Sequence, residues 1–138
     1  MLSRKNFVAA ASCVLCSLPG LAGTASAQSP ASIGGVTRKI LMRMDGPAVG
    51  YETVLVEAVL DAGVVIGRHT HPGVESAYLL DGGFELSIDG QPARVLKPGD
   101  GYQIAAGAVH GGGKAVAEKS KIIVTYVVEK GKPLSTPV

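Results

Sequence analysis

Three histidines, His69, His71 and His110, are the whole imidazole complement of this 138-residue chain. His69 and His71 stand two positions apart in a stretch that reads as extended, so both side chains leave the same face. Glu75 follows four residues beyond His71, past Pro72-Gly73, where the chain is able to turn and bring a carboxylate to the same space. His110 ends a separate predicted strand. Two imidazoles, a carboxylate and a third imidazole are the donor types that a divalent transition metal takes. His-x-His alone is a short motif that arises without a metal, and Glu75 alone reads equally as a solvated carboxylate at a strand end. The combined spacing is what points to one site.

The elements that must hold these residues read as short strands. Thr37–Arg43, Thr53–Leu60, Val64–His69 and Ser76–Leu80 come first, with Asp61-Ala62-Gly63 and Asp81-Gly82-Gly83 as breaks. Phe84, Leu86 and Ile88 alternate with Glu85, Ser87 and Asp89, the pattern of a half-buried strand. Asp89-Gly90 reads as a two-residue hairpin turn with positive φ at both positions, returning as Ala93–Leu96. Tyr102–Ala105, Ala108–His110 and the β-branched run Lys121–Val128 complete the set. No helical period of useful length follows residue 36. The chain is therefore all-β, a sandwich or barrel, and its 46% hydrophobic residues are enough for a single core.

On these residues the sequence resembles the cupin superfamily, and within it the small single-domain, RmlC-like cupins that bind metal. The first cupin motif, G-x5-H-x-H-x3-E-x6-G, is met at Gly63, His69, His71, Glu75 and Gly82. The second, G-x5-P-x-G-x2-H-x3-N, is met at Gly99, Gly107 and His110, with Ala105 and Lys114 in place of its Pro and Asn. Neither departure falls on a ligand. The resemblance implies a cupin-type jelly-roll β-barrel (a double-stranded β-helix) over residues 36–130. It also implies one divalent metal ion, Fe, Mn, Ni, Zn or Cu, on His69, His71, Glu75 and His110, with about two open positions if six-coordinate. It implies a homodimer as well, since small cupins often pair through their N-terminal strands.

Around the ligands, Val65 and Gly67 share the parity of His69 and His71 and read as cavity wall, while Ala77 and Leu79 follow Glu75 inward as an apolar wall. Arg68 alternates to the opposite face. Tyr102 reads either as a hydroxyl aimed at a substrate or as a core tyrosine satisfied by backbone. Gly111-Gly112-Gly113 reads as a lip over the site or a permissive turn. No Ser-His-Asp set remains, so proton transfer falls to Glu75, a tyrosine such as Tyr102, bound water or the substrate.

Residues 1–27 read as a cleaved signal peptide. Arg4 and Lys5 start it, Phe7 to Leu18 is apolar but shorter than a bilayer span, and Ala25-Ser26-Ala27 offers the cleavage site. Residues 28–35 read as a flexible lead-in and 131–138 as a loose C-terminal tail. Both cysteines, Cys13 and Cys16, lie in the signal, so an acylated or redox role for them is set aside. Without Arg4 and Lys5 the 11 remaining cations balance the 11 acids. A neutral, thiol-free chain with no basic run excludes a nucleic-acid partner and thiol chemistry, leaves no integral membrane span after cleavage, and suits a periplasmic or secreted location. The function expected is an exported metal-binding cupin acting on a small organic molecule chelated by the ion, dioxygenase-like. The alternatives are a metal-dependent isomerase or lyase and a non-catalytic small-molecule or sugar-binding cupin.

Overall fold

The structure is a computed structural model that describes residues 31–115 and 118–138. The expected signal peptide lies outside the described residues. Eleven strands form the chain in order: β1 (Ala31–Ile33), β2 (Val36–Asp45), β3 (Tyr51–Leu60), β4 (His69–Thr70), β5 (Gly73–Asp81), β6 (Phe84–Ile88), β7 (Arg94–Leu96), β8 (Gly101–Ile104), β9 (His110–Ala115), β10 (Ser120–Glu129) and β11 (Thr136–Pro137). There is no helix among the described residues, and none long and apolar enough to cross a membrane.

Two antiparallel sheets face each other, one ordered β1-β2-β3-β10-β5-β8 and the other β11-β4-β9-β6-β7. Period-2 patterning explains the packing. Along β10 the even positions Ile122, Val124, Tyr126 and Val128 are buried, and β3 does the same with Val54, Val56, Ala58 and Leu60. The small sheet answers with Phe84, Leu86 and Leu96. The apolar core is contiguous between the two layers, the arrangement that removes most of this surface from water.

Several local expectations are corrected. The hairpin after β6 is not the two-residue turn with two positive φ angles: only Gly90 is positive, at 77°, and Gln91 N–H donates to Ile88 O at 3.0 Å, a type II pattern with Gly at its third position. Gly111-Gly112-Gly113 is neither lip nor turn but lies within β9. A Cβ on Gly111 would sit 2.8 Å from the Ile66 carbonyl oxygen, so the glycines let β9 pass close to the chain before β4. That chain, expected as strand from Val64, joins a ladder over a run of residues only at His69–Thr70. Residues 131–138 do not form a loose tail. β11 pairs with β4, Thr136 against Thr70 and Pro137 against His69, and Val138 N–H donates to Arg68 O.

Candidate metal centre

The two sheets bring the four sequence-predicted ligands to one point. His69 is on β4, which pairs His69 with His110 of β9, and His71 follows β4 directly. Glu75 comes from β5 in the opposite sheet, already inside its strand rather than in a turn. All four are 9% exposed or less. Their candidate ligand atoms lie within 4.8 Å of one another.

Each imidazole is held the same way. His69 Nδ1 pairs with Gly67 O at 2.8 Å, His71 Nδ1 with Leu134 O at 2.5 Å and His110 Nδ1 with Ala108 O at 3.0 Å. A carbonyl only accepts, so each Nδ1 carries a proton, and in the neutral form that binds metal each Nε2 offers its lone pair. The Nε2 atoms of His71 and His110 are buried without a hydrogen-bond partner. Glu75 Oε2 lies 2.6 Å from the first, off the hydrogen-bonding direction, and 3.6 Å from the second, beyond hydrogen-bonding distance. Buried lone pairs left unpaired around a carboxylate are costly unless something electron-poor sits among them. The residues present therefore fit a divalent transition metal held by Nε2 of the three imidazoles and an oxygen of Glu75.

The electrostatics agree. Burial works to raise the Glu75 pKa, yet His110, His71 and Tyr102 hold it down at about 2, so the group is a carboxylate. Burial lowers His69, favouring its neutral, ligating form. Burial would lower His110 too, but Glu75 and the Ala108 carbonyl outweigh it and raise the pKa. The partner of Tyr102 is a side chain and not the backbone group expected of a core tyrosine. Its hydroxyl donates to Glu75 Oε1 at 2.9 Å, and burial, with the Glu75 charge, keeps the phenol protonated. Tyr102 thereby occupies one carboxylate oxygen and leaves the other facing the imidazoles.

A chamber of about 40 Å³ adjoins the ligands, walled by Ala58, Ile66, Phe84, Leu86, Ile122 and Val124 with Tyr102 and Tyr126. Ala77 and Leu79 are buried in the core but do not line it. Val65 and Gly67 line not this chamber but an outer groove of about 330 Å³, where Val65 is 65% exposed. Arg68 does point away, gripping Asp89 with two bonds of 2.8 and 2.7 Å.

Two participants escaped the sequence reading. Leu134 contributes only a backbone carbonyl, which no side-chain pattern reveals. Arg38 lines both chamber and groove. Its signal was parity with Val36 and Ile40 on β2, a cation on an otherwise apolar face.

This is the geometry of a cupin. The cupin-domain family model matches residues 56–129, more than half of the chain, and the chain belongs to that family. No curated protein sequence matches it. Among solved structures it is similar to an RmlC-like cupin from Shewanella frigidimarina, with 21% identity, a TM-score of 0.62, and 77% of this chain and 87% of that one covered. It is similar to the polyketide cyclase RemF from Streptomyces resistomycificus at 20% identity and a TM-score of 0.61, covering 75% and 71%. It is similar to the DMSP lyase DddQ from Ruegeria pomeroyi at 22% identity and a TM-score of 0.58, covering 62% of this chain and 43% of that one. The chain thus spans less than half the length of that lyase. At these identities the likeness establishes the double-stranded β-helix fold.

Proposed function

We propose that the protein is an exported, metal-dependent cupin enzyme whose ion polarises an oxygen group of a small organic substrate. The observation that carries this reading is the set of three Nδ1–carbonyl bonds, which leave three Nε2 lone pairs and Glu75 Oε2 around one point. A divalent ion bound there supplies Lewis-acid polarisation. The residues of the chain do the rest. Tyr102 keeps Glu75 oriented and ionised, and the apolar wall of Phe84, Leu86, Ile122 and Val124 excludes water and strengthens polar contacts. Tyr102 and Tyr126 both line the chamber with pKa values raised by burial, so they donate hydrogen bonds and do not serve as bases. Glu75 is too acidic for a base at neutral pH.

Lyase or isomerase-type chemistry is the first choice, in keeping with the lyase and the cyclase among the similar folds. Dioxygenase chemistry is the second, favoured by a three-imidazole, one-carboxylate donor set that suits Fe(II) and leaves coordination positions open. Export rests on the pattern of residues 1–27, and pairing of two copies is supported by exposed Leu41, Met42 and Met44 on β2.

Elemental analysis of the purified protein, followed by turnover assays on small hydroxy acids and diketones with and without O₂, tests the reading. One metal per chain, lost in His71→Ala, is expected. Product without O₂ selects the lyase or isomerase, O₂-dependent product the dioxygenase, and stoichiometric binding without product a non-catalytic module. Wild-type protein that retains no metal, or His71→Ala with unchanged metal, refutes the site.

A further inference from the structure

The structure assigns Arg38 as the residue that recognises an anionic group, a carboxylate, on the substrate while the substrate's other end reaches the metal centre. This rests on the metal-site reading above and adds the substrate class: a small organic acid with a second anionic group.

Arg38 is a cation facing inward. On β2 it shares the parity of Val36, which is buried, and Ile40, which packs on the core, and its cross-strand partner is Ala58, a buried wall residue of the chamber. It lines the inner chamber and the outer groove together with Ile66 and His69, so it stands where the two meet. Most other described cations near the barrel have carboxylate partners: Arg43 has Glu52, Arg68 has Asp89, Lys121 has Glu57 and Lys130 has Asp45. Among the described residues no ion pair includes Arg38. A half-buried guanidinium normally keeps a charged or hydrogen-bonding partner, because an unpaired charge loses its hydration without return. The neighbours it has are phenols: Tyr126 is within side-chain hydrogen-bonding reach, and the Arg38 charge opposes the burial-driven rise at both Tyr102 and Tyr126. A protonated phenol brings no negative charge, so the guanidinium charge itself stays unmatched.

Charge balance points the same way. The three imidazoles bind a metal neutral, and Glu75 brings one negative charge. A divalent ion together with Arg38 then leaves the site two positive charges in excess, which a dianionic ligand cancels. Size fits as well. The inner chamber of about 40 Å³ takes only the coordinating end, so the body must lie in the groove of about 330 Å³ beside Val36, Val65 and Pro137.

The test uses pairs that share one chelating end and differ only in the far group: malate against 2-hydroxybutyrate, and 2-hydroxyglutarate against 2-hydroxyvalerate. Affinities are measured by calorimetry on zinc-loaded wild type, Arg38→Gln and Arg38→Lys, with metal content determined for each. In the wild type one diacid binds about tenfold or more tighter than its partner, the scale of a charge-assisted pair. In Arg38→Gln this ratio falls towards one at unchanged metal content, and Arg38→Lys keeps part of it. If Arg38→Gln does not fold, the Arg38→Lys ratio and the Arg38 side-chain N–H shift in the wild-type spectrum decide. A wild type in which neither diacid outbinds its partner, or a ratio unchanged in Arg38→Gln, overturns the proposal. If wild-type protein takes up no metal, the metal reading fails by itself, and the same pairs on metal-free protein judge Arg38 by the same ratio.

Discussion

The carbonyl of Leu134 accepts a 2.5 Å hydrogen bond from Nδ1 of His71, 63 positions earlier in the chain. It fixes the tautomer and the ring direction of a residue at the centre of the site. The bond is anchored on both sides, because β11 beyond it pairs with β4, the strand that carries His69. Residues 134–137 therefore support the candidate metal centre.

Removing residues 133–138 should weaken metal affinity about 10- to 100-fold, the usual cost of losing such a supporting partner. The segment supplies only the two-residue edge strand β11 and the Leu134 side chain, so circular dichroism of the variant accompanies the measurement to show that the two sheets persist. Chelator competition on the full-length and shortened proteins measures the difference, and equal affinities would show that His71 holds its direction without Leu134.

Tyr102→Phe removes the donor to Glu75 Oε1 and leaves the ligand atoms in place. The expected loss is about 2 kcal/mol of stability, the scale of a hydrogen bond to a charged group. Metal remains at one per chain, and turnover falls because Glu75 is less firmly oriented. A denaturant titration alongside metal analysis separates the two effects. A variant that loses its metal altogether would make Tyr102 essential to the site rather than a support for Glu75.

Much of this site is legible in the sequence because its donors are side chains at fixed spacing. His69, His71, Glu75 and His110 are visible as residue types, and strands such as β3, β6 and β10 announce their buried faces by alternation. The supports are hidden for physical reasons. The acceptors for the three imidazoles are backbone carbonyls of Gly67, Leu134 and Ala108, and every residue type carries one. β11 is two residues long, too short for any period, so residues 131–138 look unstructured until β4 is seen beside them. The triple glycine misleads because the reason for its small size, the nearby Ile66 backbone, lies more than 40 positions earlier.

That close approach predicts different outcomes at adjacent positions. A Cβ on Gly111 meets backbone, the Ile66 oxygen at 2.8 Å, whereas one on Gly112 meets the end of the Ile66 side chain, Cδ1 at 2.9 Å. Backbone yields at greater cost than a side-chain tip. Gly111→Ala should destabilise by about 1–3 kcal/mol and displace the chain leading to His69, while Gly112→Ala costs less. Thermal unfolding ranks the two, and the reverse order would refute the close approach at Ile66.

Metal binding should release a proton near neutral pH. His110, raised above its ordinary 6.5 by Glu75 against the opposing effect of burial, is protonated in much of the metal-free protein, and an ion needs it neutral. His69, lowered by burial, is already neutral there. Affinity therefore climbs with pH up to the raised pKa of His110 and flattens above it. Calorimetry in two buffers of different ionisation enthalpy counts the proton. No release at pH 6.5 would mean that Glu75 does not hold His110 charged.

The same carboxylate sets an acid limit for the metal-free protein. Glu75 is held at about 2 against an ordinary 4.5: burial pushes it up, and the contacts from His110, His71 and Tyr102 more than offset this. A depressed folded pKa contributes stability that is fully present above the unfolded value and is lost as pH falls through the folded one. The window is therefore from pH about 4.5 down to about 2. The contribution is on the order of 3 kcal/mol, since a tenfold change in proton affinity is worth about 1.4 kcal/mol. Glu75→Gln should be less stable than wild type at neutral pH and should lose less between the two limits, so the two stability curves converge in acid. Urea unfolding of chelator-treated protein at several pH values across that window measures the convergence. Parallel curves would show that Glu75 gains nothing from its buried partners.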